Sequence, residues 1–229
     1  MRKQEIAKIK GGVMKMDERL EDLRSAKNPK ARIKILKGHF ATSNSHLNTY
    51  IDMSTVKTRH NNSRETAKEL AAEYLTNTFV NTIVCLDETE VIGTFLAEQL
   101  ADSNRMSLSA GNNISVVTPE FNTFGQIMFR DNKQRMVKNQ QVLILAASVT
   151  TGKTISRAIE SVLYYGGTVC GICAIFSAVT KIAGMEIKTI FTSKDVPDYR
   201  AYDPHECPMC KEGSRVEALV NSFGYSKLE

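Results

Sequence analysis

Residues 141–154 read Gln141-Val142-Leu143-Ile144-Leu145-Ala146-Ala147-Ser148-Val149-Thr150-Thr151-Gly152-Lys153-Thr154. The apolar run up to Leu145 is the pattern of a strand buried on both faces. It passes through a polar turn into Ile155, Ala158, Ile159, Val162 and Leu163, which recur at helical spacing, and Gly166-Gly167 closes that helix. A helix N-terminus presents unpaired N–H groups and a partial positive charge, both suited to phosphate. Gly152 lets the backbone approach an anion closely. Thr150, Thr151 and Thr154 add hydroxyls and Lys153 adds charge. The turn formed by Ser148, Val149, Thr150, Thr151, Gly152, Lys153 and Thr154 is therefore the candidate phosphate site. Capping alone would not require so many donors.

The same alternation extends to both sides of this turn. Thr82-Ile83-Val84-Cys85-Leu86 is another continuous apolar strand, followed by a helix with Val91, Ile92, Phe95, Leu96 and Leu100 on one side. Ile114-Ser115-Val116-Val117, Thr168 to Phe176 and Ile187 to Phe191 read as further strands. Ala67, Leu70, Ala71, Tyr74, Leu75 and Phe79 suggest an earlier helix that Asn61, Asn62 or Ser63 could cap. Alternating strands and helices imply an α/β fold, a central parallel sheet with helices on both faces. Ligands in such sheets bind beyond the carboxyl ends of the strands, so the turns after Leu86, Leu145 and Phe176 matter most.

A length of 229 residues, 42% hydrophobic and 24% charged, suits one large domain with a modest extension. No apolar run approaches a membrane span, and the N-terminus lacks a signal-peptide pattern, so no membrane contact and a cytoplasmic location are expected. Five cysteines in a chain of this length fit a reducing compartment better than a disulfide framework. The net charge of +5 is unevenly placed: residues 1–37 carry +7 and the remainder −2. The expectation is a basic helical extension over 1–37 and a main domain over 38–229. The extension would be a solvated helix face or a contact for nucleic acid or another polyanion.

Several segments together resemble the type I phosphoribosyltransferases, and within them the orotate phosphoribosyltransferases, over about residues 38–213. Gly38-His39-Phe40 through Tyr50-Ile51-Asp52 is similar to that family's substrate segment. Val142 through Thr154 resembles its phosphoribosyl-pyrophosphate signature. Gly166-Gly167-Thr168-Val169 is similar to the next family element. Tyr202-Asp203-Pro204-His205-Glu206-Cys207-Pro208-Met209-Cys210-Lys211-Glu212-Gly213 is similar to the Cys-Pro-x-Cys tail of some orotate enzymes. The resemblance implies a phosphoribosyltransferase-like sheet, a homodimer, and phosphoribosyl pyrophosphate, ribose 5-phosphate or a nucleotide as ligand. It also implies a mobile hood over about 118–139, where Arg130, Lys133 and Arg135 would be contacts, and places His46 near a substrate-contacting basic position.

The sequence departs from that family at four strand ends. Ala146 and Ala147 stand where two acidic residues bind the ribose hydroxyls, at an expected loss of about 1.5–3 kcal/mol for each charged hydrogen bond. Asp87-Glu88-Thr89-Glu90 replaces a small Gly-rich pyrophosphate loop. Its acidic residues would cap the following helix, or Asp87 and Glu88 would hold Mg²⁺. Ser177-Ala178 replaces an Asp-Arg pair for orotate, and the hood lacks its histidine. Gly152-Lys153-Thr154 also resembles the end of a P-loop, but Ala147 stands where that loop needs its first glycine. Cys207-Pro208-Met209-Cys210 has half-site zinc spacing, with His205 as a third candidate ligand. Cys170 and Cys173 lie three apart in a strand, where alternation directs them to opposite faces. The tail is expected to pack without zinc, and Cys85 to belong to the core. The competing functions are a divergent transferase, a non-catalytic nucleotide or sugar-phosphate sensor, and a P-loop-like nucleotide binder.

Overall fold

The computed structural model describes residues 16–228. A 3₁₀ turn at Met16–Arg19 leads to β1 (Glu21–Arg24), β2 (Arg32–Ala41) and β3 (His46–Asp52). Two helices follow, α1 (Ser54–Thr58) and α2 (His60–Ala71). Next come β4 (Thr82–Cys85), α3 (Glu90–Ala101), β5 (Ser115–Val117), the short hairpin β6 (Glu120–Phe121) and β7 (Ile127–Met128), and α4 (Asp131–Gln134). The central βα unit is β8 (Gln141–Val149) and α5 (Lys153–Tyr164), followed by β9 (Thr168–Ser177), β10 (Lys181–Ile182) and β11 (Met185–Thr192). The chain ends with β12 (Ala201–Tyr202), α6 (Pro208–Lys211), β13 (Ala218–Asn221) and β14 (Gly224–Lys227).

The main sheet has the order β10-β11-β9-β8-β4-β5. All its pairings are parallel except that of the edge strand β10. Every residue of β4 is buried, as are residues 142–147 of β8, which explains their unbroken apolar runs. Alternate residues of β8 feed two cores. Leu143, Leu145 and Ala147 face Leu70 of α2, Ile92 and Leu96 of α3, and Ile33 and Leu36 of β2. Val142, Ile144 and Ala146 face Ile155, Ala158 and Val162 of α5. From β4 the chain runs outward to β5 and then returns to the other side of β4 as β8. The β4–β8 boundary is thus the switch point at which α/β sheets open a ligand crevice.

The N-terminal expectation is corrected. Residues 1–15 lie outside the described residues, but Glu21–Arg24 and Arg32–Ala41 are strands, not helix. Over residues 32–35 the basic residues alternate with buried Ile33 and Ile35, which leaves the charges on the other face, and from Leu36 onward both faces of the strand bury side chains. A domain boundary at residue 37 would cut through β2. That strand pairs with β3 on one side and β13 on the other, in a second sheet ordered β12-β3-β2-β13-β14 with β1 attached to β2. This second sheet places its 42–45 turn and its β13–β14 turn at the carboxyl end of the main sheet.

Candidate functional site

The strand β8 runs four residues beyond Leu145 before the chain turns. Gly152 then takes a left-handed conformation, φ 82°, and is the N-cap of α5. Only glycine holds that geometry without strain. The first helical bond here is donated by Ser156 to the Gly152 carbonyl (2.9 Å), so the amides of residues 153–155 precede any helical acceptor. Thr151, Lys153 and Thr154 are exposed around them. These residues line an open cleft of about 160 Å³ together with Ser148, Thr150, Asp87, the 42–45 turn and Ser222. The seven residues of the proposed phosphate turn are therefore brought together, on the switch point.

A second, smaller cavity of about 100 Å³ adjoins the first and shares Thr42, Ser148, Thr150 and Ser222 with it. Its walls include Tyr50, Phe176 and Tyr199, an aromatic surface beside a polar one, which is the usual make-up of a small-molecule pocket. Burial raises the Tyr199 phenol above its ordinary value, and a hydrogen bond with Thr150 pulls it back in part. The turn at the start of α5 and the aromatic pocket are thereby joined through one side-chain pair.

Lys57 and its partners were not visible in the sequence. Lys57 is buried in α1, and its ammonium donates to the Asp87 carbonyl (3.2 Å), to Glu88 Oε2 (3.1 Å) and to the Ser222 carbonyl. All three of its protons are used. The three acceptors come from the β4–α3 turn and the β13–β14 turn, so no local motif could have announced them. Asp87 and Glu88 both sit at positive φ, 57° and 61°. Two consecutive non-glycine residues there are strained, and such strain clusters at functional sites. Burial holds the Asp87 carboxyl above the ordinary carboxylate range. Lys57 and the amides of Ala147 and Ser148 oppose that shift, while Glu88 adds to it.

The acidic turn is therefore no cap. Thr89 is the N-cap of α3, no side chain caps that helix, and the Thr89 hydroxyl donates instead to the Leu86 carbonyl (2.8 Å). Glu88 pairs with the Lys57 ammonium (3.1 Å), and Asp87 lines the cleft beside the start of α5. Ala146 and Ala147 are both buried and offer no acceptor. Ala147 borders the aromatic pocket, while Ala146 points into the α5 core. Because residues 147–149 continue β8, no loop wraps an anion in the manner of a P-loop, and that reading is set aside. Ser177 and Ala178 close a turn, with the Ser177 hydroxyl donating to the Val179 carbonyl (2.6 Å) and the Ala178 amide to the Val149 carbonyl (2.8 Å).

The hood residues lie elsewhere. Arg130 pairs with Glu120 (2.7 Å), the Lys133 ammonium donates to the Thr118 carbonyl (3.0 Å), and Arg135 is exposed; none of the three lines either cleft. His46 likewise faces away from both, toward His39, Cys207 and Cys210. His205 is exposed, its amide bonded to the Asp203 carboxylate (2.9 Å), and it is not part of that group. Cys170 and Cys173 do not separate onto opposite faces as alternation suggests. The β8–β9 register skips at Cys170, a bulge, and both thiols pack on the same core. Burial raises the Cys170 thiol to about 11, the Cys85 thiol to about 12 and the Cys173 thiol further still. Cys85 is fully buried in the core, as expected.

No protein-family model matches the chain. By sequence it is similar to orotate phosphoribosyltransferases. It is 25% identical over 188 residues to that of Chlorobaculum parvum, covering 80% of this chain and 88% of the relative. It is 28% identical over 180 residues to that of Desulforamulus reducens, covering 78% and 86%. In structure it is similar to the Leishmania donovani UMP synthase, with a TM-score of 0.51 and 17% identity, over 71% of this chain and 34% of that one. Among the described residues no helix is long and apolar enough to cross a membrane.

Proposed function

We propose, on the premise that this chain is a type I phosphoribosyltransferase homologue close to the orotate enzymes, that it binds the 5′-phosphate of a phosphoribosyl ligand or nucleotide and does not carry out the transfer reaction. The observation that carries this reading is the contrast at one strand end. The turn at the start of α5 opens onto the switch-point cleft with the amides of residues 153–155 unclaimed by helical bonds, while Ala146 and Ala147, which precede it, are buried and apolar.

Binding follows from residues on the chain. The amides at the start of α5 and the hydroxyls of Thr151 and Thr154 would hold the phosphate oxygens. Thr150 and Tyr199 would orient whatever extends from the phosphate into the aromatic pocket, where Tyr50 and Phe176 supply flat apolar surface for a base. Transfer requires more. A ribose losing its pyrophosphate must be fixed and its developing charge stabilised. Here Ala146 and Ala147 carry no acceptor, and the β4–α3 turn brings Asp87 rather than a small neutral loop to the cleft. A carboxylate at that position disfavours an approaching pyrophosphate.

Calorimetry with ribose 5-phosphate and with nucleoside monophosphates tests binding. Thr151→Val, which deletes one hydroxyl contact to an anion worth about 1.5–3 kcal/mol, should weaken it by roughly 10- to 100-fold. Gly152→Val should abolish it. A coupled assay with phosphoribosyl pyrophosphate, Mg²⁺ and orotate should show no pyrophosphate release. Sustained release would overturn the non-catalytic reading, and unchanged binding in both variants would overturn the phosphate site.

A further inference from the structure

The strongest unexplained cluster lies outside both clefts. His39, His46, Cys207 and Cys210 bring one ligand atom each to within 4.8 Å of one another. His39 Nε2 is 3.0 Å from His46 Nδ1, 3.6 Å from Cys207 Sγ and 3.7 Å from Cys210 Sγ, and Cys210 Sγ is 3.3 Å from His46 Nδ1. Four ligands around a tetrahedral zinc, with Zn–N of about 2.0–2.1 Å and Zn–S of about 2.3 Å, stand about 3.3 Å apart for two nitrogens and about 3.6 Å for nitrogen and sulfur. The observed separations fall within about 0.3 Å of those values without any ion to impose them.

Hydrogen bonding alone does not account for the arrangement. The other ring nitrogen of His39, Nδ1, lies 3.0 Å from the Ser214 carbonyl, which can only accept, so Nδ1 carries the proton and Nε2 is a bare lone pair. That lone pair faces three polar atoms and can accept from one of them. A carbonyl fixing the far nitrogen of a histidine is the customary support of a metal ligand. His39 and Cys207 are fully buried, whereas Cys210 is exposed, which leaves an entry path from solvent.

The local fold aims each group. A bulge between Lys37 and Phe40 in β2 turns His39 inward. A Cβ on Gly38 would lie 2.3 Å from Glu217 Oε1, which accepts from the His39 amide, and 2.8 Å from the Phe40 ring, so a larger residue there would displace both side chains. Cys207 is the N-cap of α6 and Cys210 lies in its single turn, so both thiols reach the same side. Tyr202 pairs with His46 across β12 and β3, which sets the tail beside the hairpin.

We propose that His39, His46, Cys207 and Cys210 form a structural zinc site that clasps the C-terminal tail to the β2–β3 hairpin. Two thiolates and two neutral imidazoles make a net-neutral complex with Zn²⁺, suited to a half-buried position, and the ligand set and geometry favour zinc over harder cations. The four ligands close the coordination sphere, so the site does no chemistry. It anchors the hairpin whose 42–45 turn lines the phosphate cleft. The proposal stands independently of what that cleft binds.

The test uses the full chain purified with reductant and without chelator. Elemental analysis should find close to one zinc per chain. After exchange, Co²⁺ should give the visible bands of a tetrahedral site together with a thiolate-to-cobalt charge-transfer band in the near ultraviolet. Cys210→Ser, at an exposed position that the fold tolerates, should lose most of the zinc and weaken the charge-transfer band, and His46→Ala should do likewise. His205→Ala should retain both. A chain that takes up neither ion overturns the assignment, as does one in which His205→Ala loses the metal while Cys210→Ser keeps it.

Discussion

Replacing Lys57 by methionine isolates the contact that ties three separate segments to the floor of the site. The side chain of Lys57 is 7% exposed, and its ammonium holds two backbone carbonyls and one carboxylate. The carboxylate of Glu88 is half exposed, so on losing its partner it is rehydrated, and that ion pair contributes only a few tenths of a kcal/mol. The carbonyls of Asp87 and Ser222 are different, because each loses a charge-assisted bond of about 1.5–3 kcal/mol, offset in part by water entering through the open cleft. The net expectation is about 2–4 kcal/mol of lost stability, with the hydrocarbon stem preserved in methionine. For a chain of this length that corresponds to a fall in thermal midpoint of about 5–15 °C. Urea unfolding followed by circular dichroism measures it, with Glu88→Gln as the control at under about 1 kcal/mol. Ribose 5-phosphate binding should weaken in parallel for Lys57→Met, because the Ser222 turn borders both cavities. If Lys57→Met costs less than about 1 kcal/mol, or Glu88→Gln costs as much as Lys57→Met, the ammonium is not the clasp described.

Asp87 carries a pH prediction. Its folded pKa is raised by burial, so the stability it contributes is present below the ordinary carboxylate pKa and is lost as pH rises through the raised value. The difference in unfolding free energy between wild type and Asp87→Asn should therefore shift against wild type as pH rises across that window, and a flat difference would count against the burial described. Asp87→Asn should also tighten ribose 5-phosphate binding at neutral pH by roughly two- to tenfold, since like charges a few ångströms apart in a wet cleft repel by about 1 kcal/mol; calorimetry reads this directly. The two alanines should separate on substitution. Ala146→Asp buries an unpaired carboxylate against α5 and should cost several kcal/mol in urea unfolding, whereas Ala147→Asp borders the pocket and should cost less. Equal costs would mean that β8 does not present them to different surroundings.

The apolar runs of β4 and β8 and the helical spacing of α5 are short-range patterns, and they dictated a parallel α/β sheet without reference to anything distant. The strand–turn–helix over residues 141–164 was legible for the same reason, because Gly152, Lys153 and the threonines are contiguous and the turn needs only a strand on one side and a helix on the other. The N-terminal segment misled because its density of Lys and Arg masked the short alternation over residues 32–35, and the pairing of this strand with β13 lies some 180 residues away. Long-range placement also decided the rest. Lys57 acquires its role only when the β4–α3 and β13–β14 turns converge on it, and the Cys-Pro-x-Cys tail acquires partners only when β12 docks on β3 and a bulge turns His39 inward. The sequence by itself determined the sheet and the turn that opens α5, because hydrophobic periodicity and helix-start chemistry are local. Only the tertiary structure decided which charges face the cleft and which four side chains meet beside it, because those distances are set by strands and turns far apart in the chain.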